Sequence, residues 1–131
     1  MNRAAMDDEL RRTVVPALRE RGFKGSLPHF RRISDDRVDL LTIQFDRHGG
    51  GFVVEISRCG AGAVTTHWGL HVPATKVTAH DLHPDKRHRL GSPGPNIDGR
   101  WFKFDDGTSV NAVATALLAH LEEADRWWAA G

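Results

Sequence analysis

The residues best suited to chemistry gather in one stretch. His80, His83 and His88 lie within nine residues, interleaved with Asp81 and Asp85. Imidazoles and carboxylates ligate zinc, manganese or nickel when their lone pairs converge on one point. The spacing reproduces no zinc motif, and no Glu stands beside a His pair as in a metalloprotease helix. A solvated polar loop is the alternative. His67 and His71 form a second pair. Four apart on a strand, they share a face but sit roughly 13 Å apart, too far to hold one metal. They could line an open sheet face with Gln44, Glu55, Thr65 and Trp101. An indole beside imidazoles and a carboxylate suits a flat or cationic ligand, and the alternative is an ordinary half-wet face. Cys59 would be nucleophilic only with a lowered pKa. Its neighbour Arg58 projects to the other face of a strand, so an inert thiol is expected. Gly60-Ala61-Gly62 lacks the third glycine and the following helix of a dinucleotide turn. Lys86-Arg87-His88-Arg89 is the densest basic run. It could meet phosphate or an acidic partner, although four residues are short for a nucleic-acid patch. Arg87, Arg89 and Trp127 are the candidate partner surface, because Trp is enriched at interfaces.

These groups must be carried by elements that the hydrophobic period reveals. Met6, Leu10, Val14 and Leu18 recur every four residues and mark a helix that Gly22 ends, with Asp7 and Asp8 near its start. Pro16 conflicts with that helix and should kink or divide it near Val15. The period then falls to two. Strands are expected over 29–33, 38–46, 52–59, 64–72 and 100–104. Leu41, Ile43 and Phe45 lie inward with Phe52, Val54 and Ile56, and Val64, Trp68, Leu70 and Val72 share a face. Gly49-Gly50-Gly51 supplies a hairpin. Residues 73–99 hold four of the six prolines and read as a long excursion with room for one helical turn. Thr108 or Ser109 caps a last helix of about 20 residues, with Val113, Leu117, Leu121 and Trp128 on its apolar stripe. The expected fold is α+β: an antiparallel meander of about five strands, with an N-terminal and a C-terminal helix packed on one face and the other face solvated.

Composition narrows the function classes. The chain has 131 residues, enough for one domain spanning 1–131. A formal charge of +1 argues against a dedicated nucleic-acid binder. One cysteine excludes an internal disulfide. No apolar run suggests a signal core or a membrane span, so a cytoplasmic location is expected. The even balance hides a polarity: residues 76–103 carry six basic and three acidic groups, and residues 104–131 one basic and five acidic. Of the basic residues 14 are Arg and 4 are Lys, a bias spread along the chain and attributable to a GC-rich coding sequence.

Leu18-Arg19-Glu20-Arg21-Gly22-Phe23-Lys24, followed by Phe30-Arg31-Arg32, resembles the opening of a bacterial family, domain-of-unknown-function family 4304. Ile43-Gln44-Phe45, the glycine turn, Phe52-Val53-Val54, Arg89-Leu90-Gly91 and Arg100-Trp101-Phe102 are similar to its later portions. The lack of Tyr and the Pro/His-rich excursion depart from its pattern. The resemblance implies an α+β domain with an antiparallel sheet and no particular reaction. From the residues, the leading reading is a non-enzymatic binding or protein-interaction module that uses the open sheet face and the 73–99 loop, with no cofactor. The alternative is a small metal-dependent hydrolase built on His80, His83 and His88.

Overall fold

The computed structural model describes residues 3–62, 64–66, 68–83, 86–91, 101–104 and 109–130. His67, Asp85, Arg100 and Thr108 fall outside them. The N-terminal helix runs as α1 (Arg3–Glu9), a π-helical turn (Leu10–Val14) and α2 (Val15–Glu20). The π turn is how the chain absorbs Pro16. The proline lacks an N–H and its ring would clash with the preceding turn. Widening that turn, with the Val15 N–H donating to Leu10 O, places Pro16 at the start of α2. Met6, Leu10, Val14 and Leu18 all stay fully buried on one side. At the end of α2, Phe23 N–H donates to Leu18 O and Gly22 N–H to Arg19 O, each at 3.0 Å. This is a Schellman close, and the φ of +92° at Gly22 is what it requires.

The sheet is antiparallel, with strand order β1-β2-β3-β4-β7. The strands are β1 (Lys24–Ser26), β2 (His29–Ile33), β3 (Arg37–Phe45), β4 (Gly51–Gly60), the short β5 (Val64–Thr65) and β6 (His71–Val72), β7 (Arg87–Arg89) and β8 (Phe102–Lys103). β8 pairs with the start of β4, and β5 and β6 pair only with each other. In register, Leu41 faces Phe30 and Ile56, and Ile43 faces Val54. These side chains and the stripes of α1, α2 and α3 (Val110–Ala130) form the main core. Each fully buried Leu or Phe there contributes about 1.5–3 kcal/mol. Ser109 caps α3, its Oγ accepting from Ala112 N–H at 3.0 Å. Trp128 is fully buried at the far end, packs on Phe23 and donates from Nε1 to Ser57 O at 3.0 Å. The α+β meander with both terminal helices on one face is therefore present. Among the described residues, no helix is long and apolar enough to cross a membrane.

Two expectations are corrected. Residues 64–72 do not form a sheet strand with Trp68 and Leu70 inward: the segment folds as a separate hairpin, and those two side chains are 55% and 54% exposed. The second sheet face is not fully solvated. Val38 and Leu40 lie on it and are covered by Val72, Val77, Ala79 and Leu82, a second small core. The long excursion carries a helical turn, of 3-10 type (Ala79–Asp81) and capped by Thr78, and in addition the strand β7.

β1 and β2 join through Leu27 and Pro28, whose peptide bond is cis. Gly25 in this hairpin has φ +110°, and a Cβ there would stand 2.5 Å from His29 O. Gly25→Ala is expected to lower the unfolding free energy by about 2 kcal/mol or more. Gly62→Ala, which meets nothing within 4 Å, should change it by less than about 0.5 kcal/mol. Urea midpoints of the two variants check the difference, and equal effects would show that the close approach is unimportant.

Candidate functional site

β3 outruns β2. The last paired residues are Thr42 and His29, after which Ile43 N–H donates only to Pro28 O at 2.9 Å. Where β2 stops, the sheet leaves a step. α1 borders it on the helix side and the 3-10 turn on the second face, enclosing a cleft of about 370 Å³. Arg3 and Asp7 reach it from α1, Arg11 from the π turn, Leu27 and Pro28 from the hairpin turn, and His80 from the 3-10 turn. β3 supplies Thr42, Ile43, Gln44 and Phe45.

Two imidazoles meet in this cleft. His29 and His80 stand edge to face, with ring centroids 5.8 Å apart. His29 Nδ1 shares a 2.9 Å hydrogen bond with the buried Thr42 Oγ1. His80 Nε2 lies 3.9 Å from Glu55 Oε2. Glu55 is only 7% exposed and is held by Arg87 at 3.3 Å and Arg89 at 2.9 Å. Arg87 also donates to Leu82 O and His80 O, which fixes the 3-10 turn against the sheet. Burial lowers the pKa of both imidazoles. For His29 the neighbouring His80 and Arg31 add to the lowering, opposed by Asp81. For His80 the Glu55 carboxylate opposes burial and Arg87 reinforces it. Two desolvated imidazoles in a concave site suit hydrogen bonding to a polar ligand and proton exchange with it.

The sequence candidates divide between this cleft and other places. Gln44 lines the cleft, and Glu55 stands behind His80. His71 lies exposed on the β5–β6 hairpin, 3.2 Å from Thr65 Oγ1. Trp101 packs near Gly51 beside Asp46 and Lys103, in a different hollow. His67 lies outside the described residues. The proposed metal trio does not converge. His80 is on the second face and His83 is exposed. His88 points to the helix face, where its Nε2 meets Glu123 at 2.7 Å and its ring stacks on Trp127. Among the described residues no three His, Cys, Asp or Glu side chains could hold a metal ion. Arg87 and Arg89 do not share a surface with Trp127, because β7 alternation puts them on opposite faces. Cys59 lies half-buried against the second core, and burial and Asp39 raise its pKa, consistent with an inert thiol.

His29, Thr42, Arg3 and Arg11 are the residues that sequence reasoning missed. The available signal was the pairing of β2 with β3: once the 34–36 turn sets Ile33 opposite Val38, His29 must face Thr42. Nothing local ties His80 or α1 to them.

The lowered imidazole pKa values couple folding to pH. The unfolded chain binds protons at these sites more readily than the folded one, so stability rises with pH through the unfolded His value of about 6.5 and falls on acidification below it. Glu123, lowered by His88, His120 and the Gly91 N–H against a burial that raises it, gives a further loss below the unfolded Glu value of about 4.5. The urea midpoint measured from about pH 8 to about pH 5 should fall, and the fall should flatten in His29→Gln and His80→Gln. Unchanged slopes in both variants would sever that linkage.

No curated protein and no solved structure matches this chain. A family model described as Domain of unknown function (DUF4304) matches residues 14–131, from the π turn through the sheet to the end of α3. The chain therefore belongs to the DUF4304 family.

Proposed function

We propose that this protein is a non-enzymatic binding module whose ligand is a small molecule seated in the cleft at the end of β2. The observation that carries the reading is the pair of partly buried imidazoles, His29 and His80, facing one another across a concave site beside the exposed Gln44. Ligand sites are typically concave and largely apolar, with a few fixed polar groups for orientation. Here Phe45, Ile43, Leu27 and Pro28 supply the apolar wall, and Thr42, Gln44 and the imidazoles supply the polar points. Glu55 and its two arginines hold His80 from behind, so this point is set by the fold before a ligand arrives. Of the residues expected to line an open sheet face the cleft takes in Gln44, and from the 73–99 excursion it takes in His80.

Ligand-observed NMR screening of a fragment library tests the reading. Gln44 is exposed, so Gln44→Trp fills the cleft mouth without disturbing the core. Fragments that bind the unmodified chain should lose most of their binding to Gln44→Trp, about tenfold or more, and keep it in Trp101→Ala. Fragments that persist in Gln44→Trp, or vanish in Trp101→Ala, would place the site elsewhere.

A further inference from the structure

The cleft lining is divided by chemistry. Leu27, Pro28 and Phe45 present apolar surface, and Arg3, His29 and His80 present nitrogen. The Arg3 guanidinium lies over the Phe45 ring, 4.6 Å from its centroid, and joins the two walls. The charged groups packed around the imidazoles come from several elements. They are Arg3 and Asp7 of α1, Arg11 of the π turn, Arg31 of β2, Glu55 of β4, Asp81 of the 3-10 turn, and Arg87 and Arg89 of β7. Among the described residues five arginines face three carboxylates, an excess of two positive charges while both imidazoles are neutral. The carboxylates are engaged: Asp7 by Arg11 at 2.7 Å, Glu55 by Arg87 and Arg89, and Asp81 by the Thr78 N–H at 2.8 Å. A cation would enter a site whose negative charges are already matched. An anion would meet the Arg3 guanidinium, which lies over the Phe45 ring at the cleft wall.

We infer that the ligand of the proposed cleft, if that reading holds, is a small organic acid, its carboxylate set between the His29 and His80 imidazoles and the Arg3 guanidinium and its apolar body against Phe45 and Pro28. The carboxylate supplies acceptors for the imidazole N–H groups and for Arg3, and charge-assisted bonds of this kind are about twice as strong as neutral ones. It also reverses the condition that keeps the imidazoles neutral. Burial disfavours imidazolium, and an anion beside it favours imidazolium, so binding draws a proton from solution. Affinity therefore increases as pH falls toward the ordinary His value, and drops only when the acid itself protonates near about pH 4.

Benzoate, benzamide and inorganic phosphate, each titrated into the full chain, separate charge from shape. Benzoate is expected to shift the imidazole signals of His29 and His80 in NMR spectra. It should bind about tenfold tighter at about pH 6 than at about pH 8. Calorimetry in buffers of different ionisation enthalpy should show proton uptake, which His80→Gln reduces. Benzamide, the neutral isostere, should bind about tenfold more weakly, and phosphate, which lacks the apolar body, should also be weaker. Benzamide binding as tightly as benzoate, with cleft signals moving, would overturn the organic-acid assignment and leave the cleft reading intact. Tighter binding of phosphate would replace it with a simple oxyanion site. No movement of either imidazole with millimolar benzoate would overturn it as well, and the fragment screen then decides the cleft reading separately. If His80→Gln fails to fold, the imidazole shifts and proton uptake of the unmodified chain carry the test.

Discussion

The carboxylate of Glu55 is the constraint around which the second face of the sheet is arranged. It sits near the middle of β4 at 7% exposure, and an ionised carboxylate at such a site is costly unless paired and hydrogen-bonded. β7 supplies the pairing. Arg87 and Arg89 are two residues apart, so both project to the Glu55 side, and the intervening His88 projects to the other. On that other face His88 meets Glu123, whose second oxygen accepts from His120 at 2.9 Å. A three-residue strand thus anchors the 3-10 turn to one face and α3 to the opposite one. Removing Glu55 would leave two guanidinium groups facing each other, and His80 would lose the carboxylate that opposes its desolvation.

This arrangement explains why the sheet has two covered faces and why the cleft lies where it does. Val38 and Leu40 make the first half of β3 apolar on the side away from the helices, and Val72, Val77, Ala79 and Leu82 fold over them. The cover stops short of the end of the sheet. β3 continues beyond β2 to Gln44 and Phe45, and neither α1 nor the 3-10 turn fills the step. The recess is therefore a consequence of unequal strand lengths, and the chemistry of its walls follows from which faces meet there. The helix side contributes Phe45 and Ile43, and the second face contributes His29, Thr42 and His80.

The legible part of the fold is the part written in short-range period. The stripe of α3, the stripe of α1 and α2, and the alternation of Leu41, Ile43, Phe45 and their partners in β4 each report a buried face directly. Pro16 reports a break in α geometry, although not that a π turn would accommodate it. The second core is less legible because its residues alternate with charged and small ones over 72–82, where no period is sustained. Val38, Leu40 and Val53 were a usable sign, since a sheet meant to be wet on one face would not place three buried apolar side chains there. The hairpin of β5 and β6 misleads for the opposite reason: Val64, Trp68, Leu70 and Val72 alternate like a strand, but only Val72 is buried. The cleft is the least legible feature, because its imidazoles are brought together by tertiary packing alone.

The arginine bias takes on a structural meaning once the side chains are placed. A lysine offers one compact charge, whereas a guanidinium offers several donors in a fixed plane and can serve two acceptors at once. Arg31 donates to Val77 O, pinning the excursion to β2. Arg32 bridges Asp39 and Arg21 O, and lies over the rings of Phe23 and Trp128. Arg37 and Arg58 both donate to Trp128 O, one of the last carbonyls of α3, at 2.9 and 2.7 Å. Positive charge at that end also complements the negative pole of the helix dipole. Arg87 spans Leu82 O, His80 O and Glu55. Arg32, Arg37, Arg58 and Arg87 each satisfy a backbone carbonyl while also neutralising a carboxylate or covering a ring. Codon preference can raise the supply of arginine, but it does not select these positions. The demand comes from a small domain that covers the second face of its sheet with largely irregular chain and so has many carbonyls to satisfy away from water.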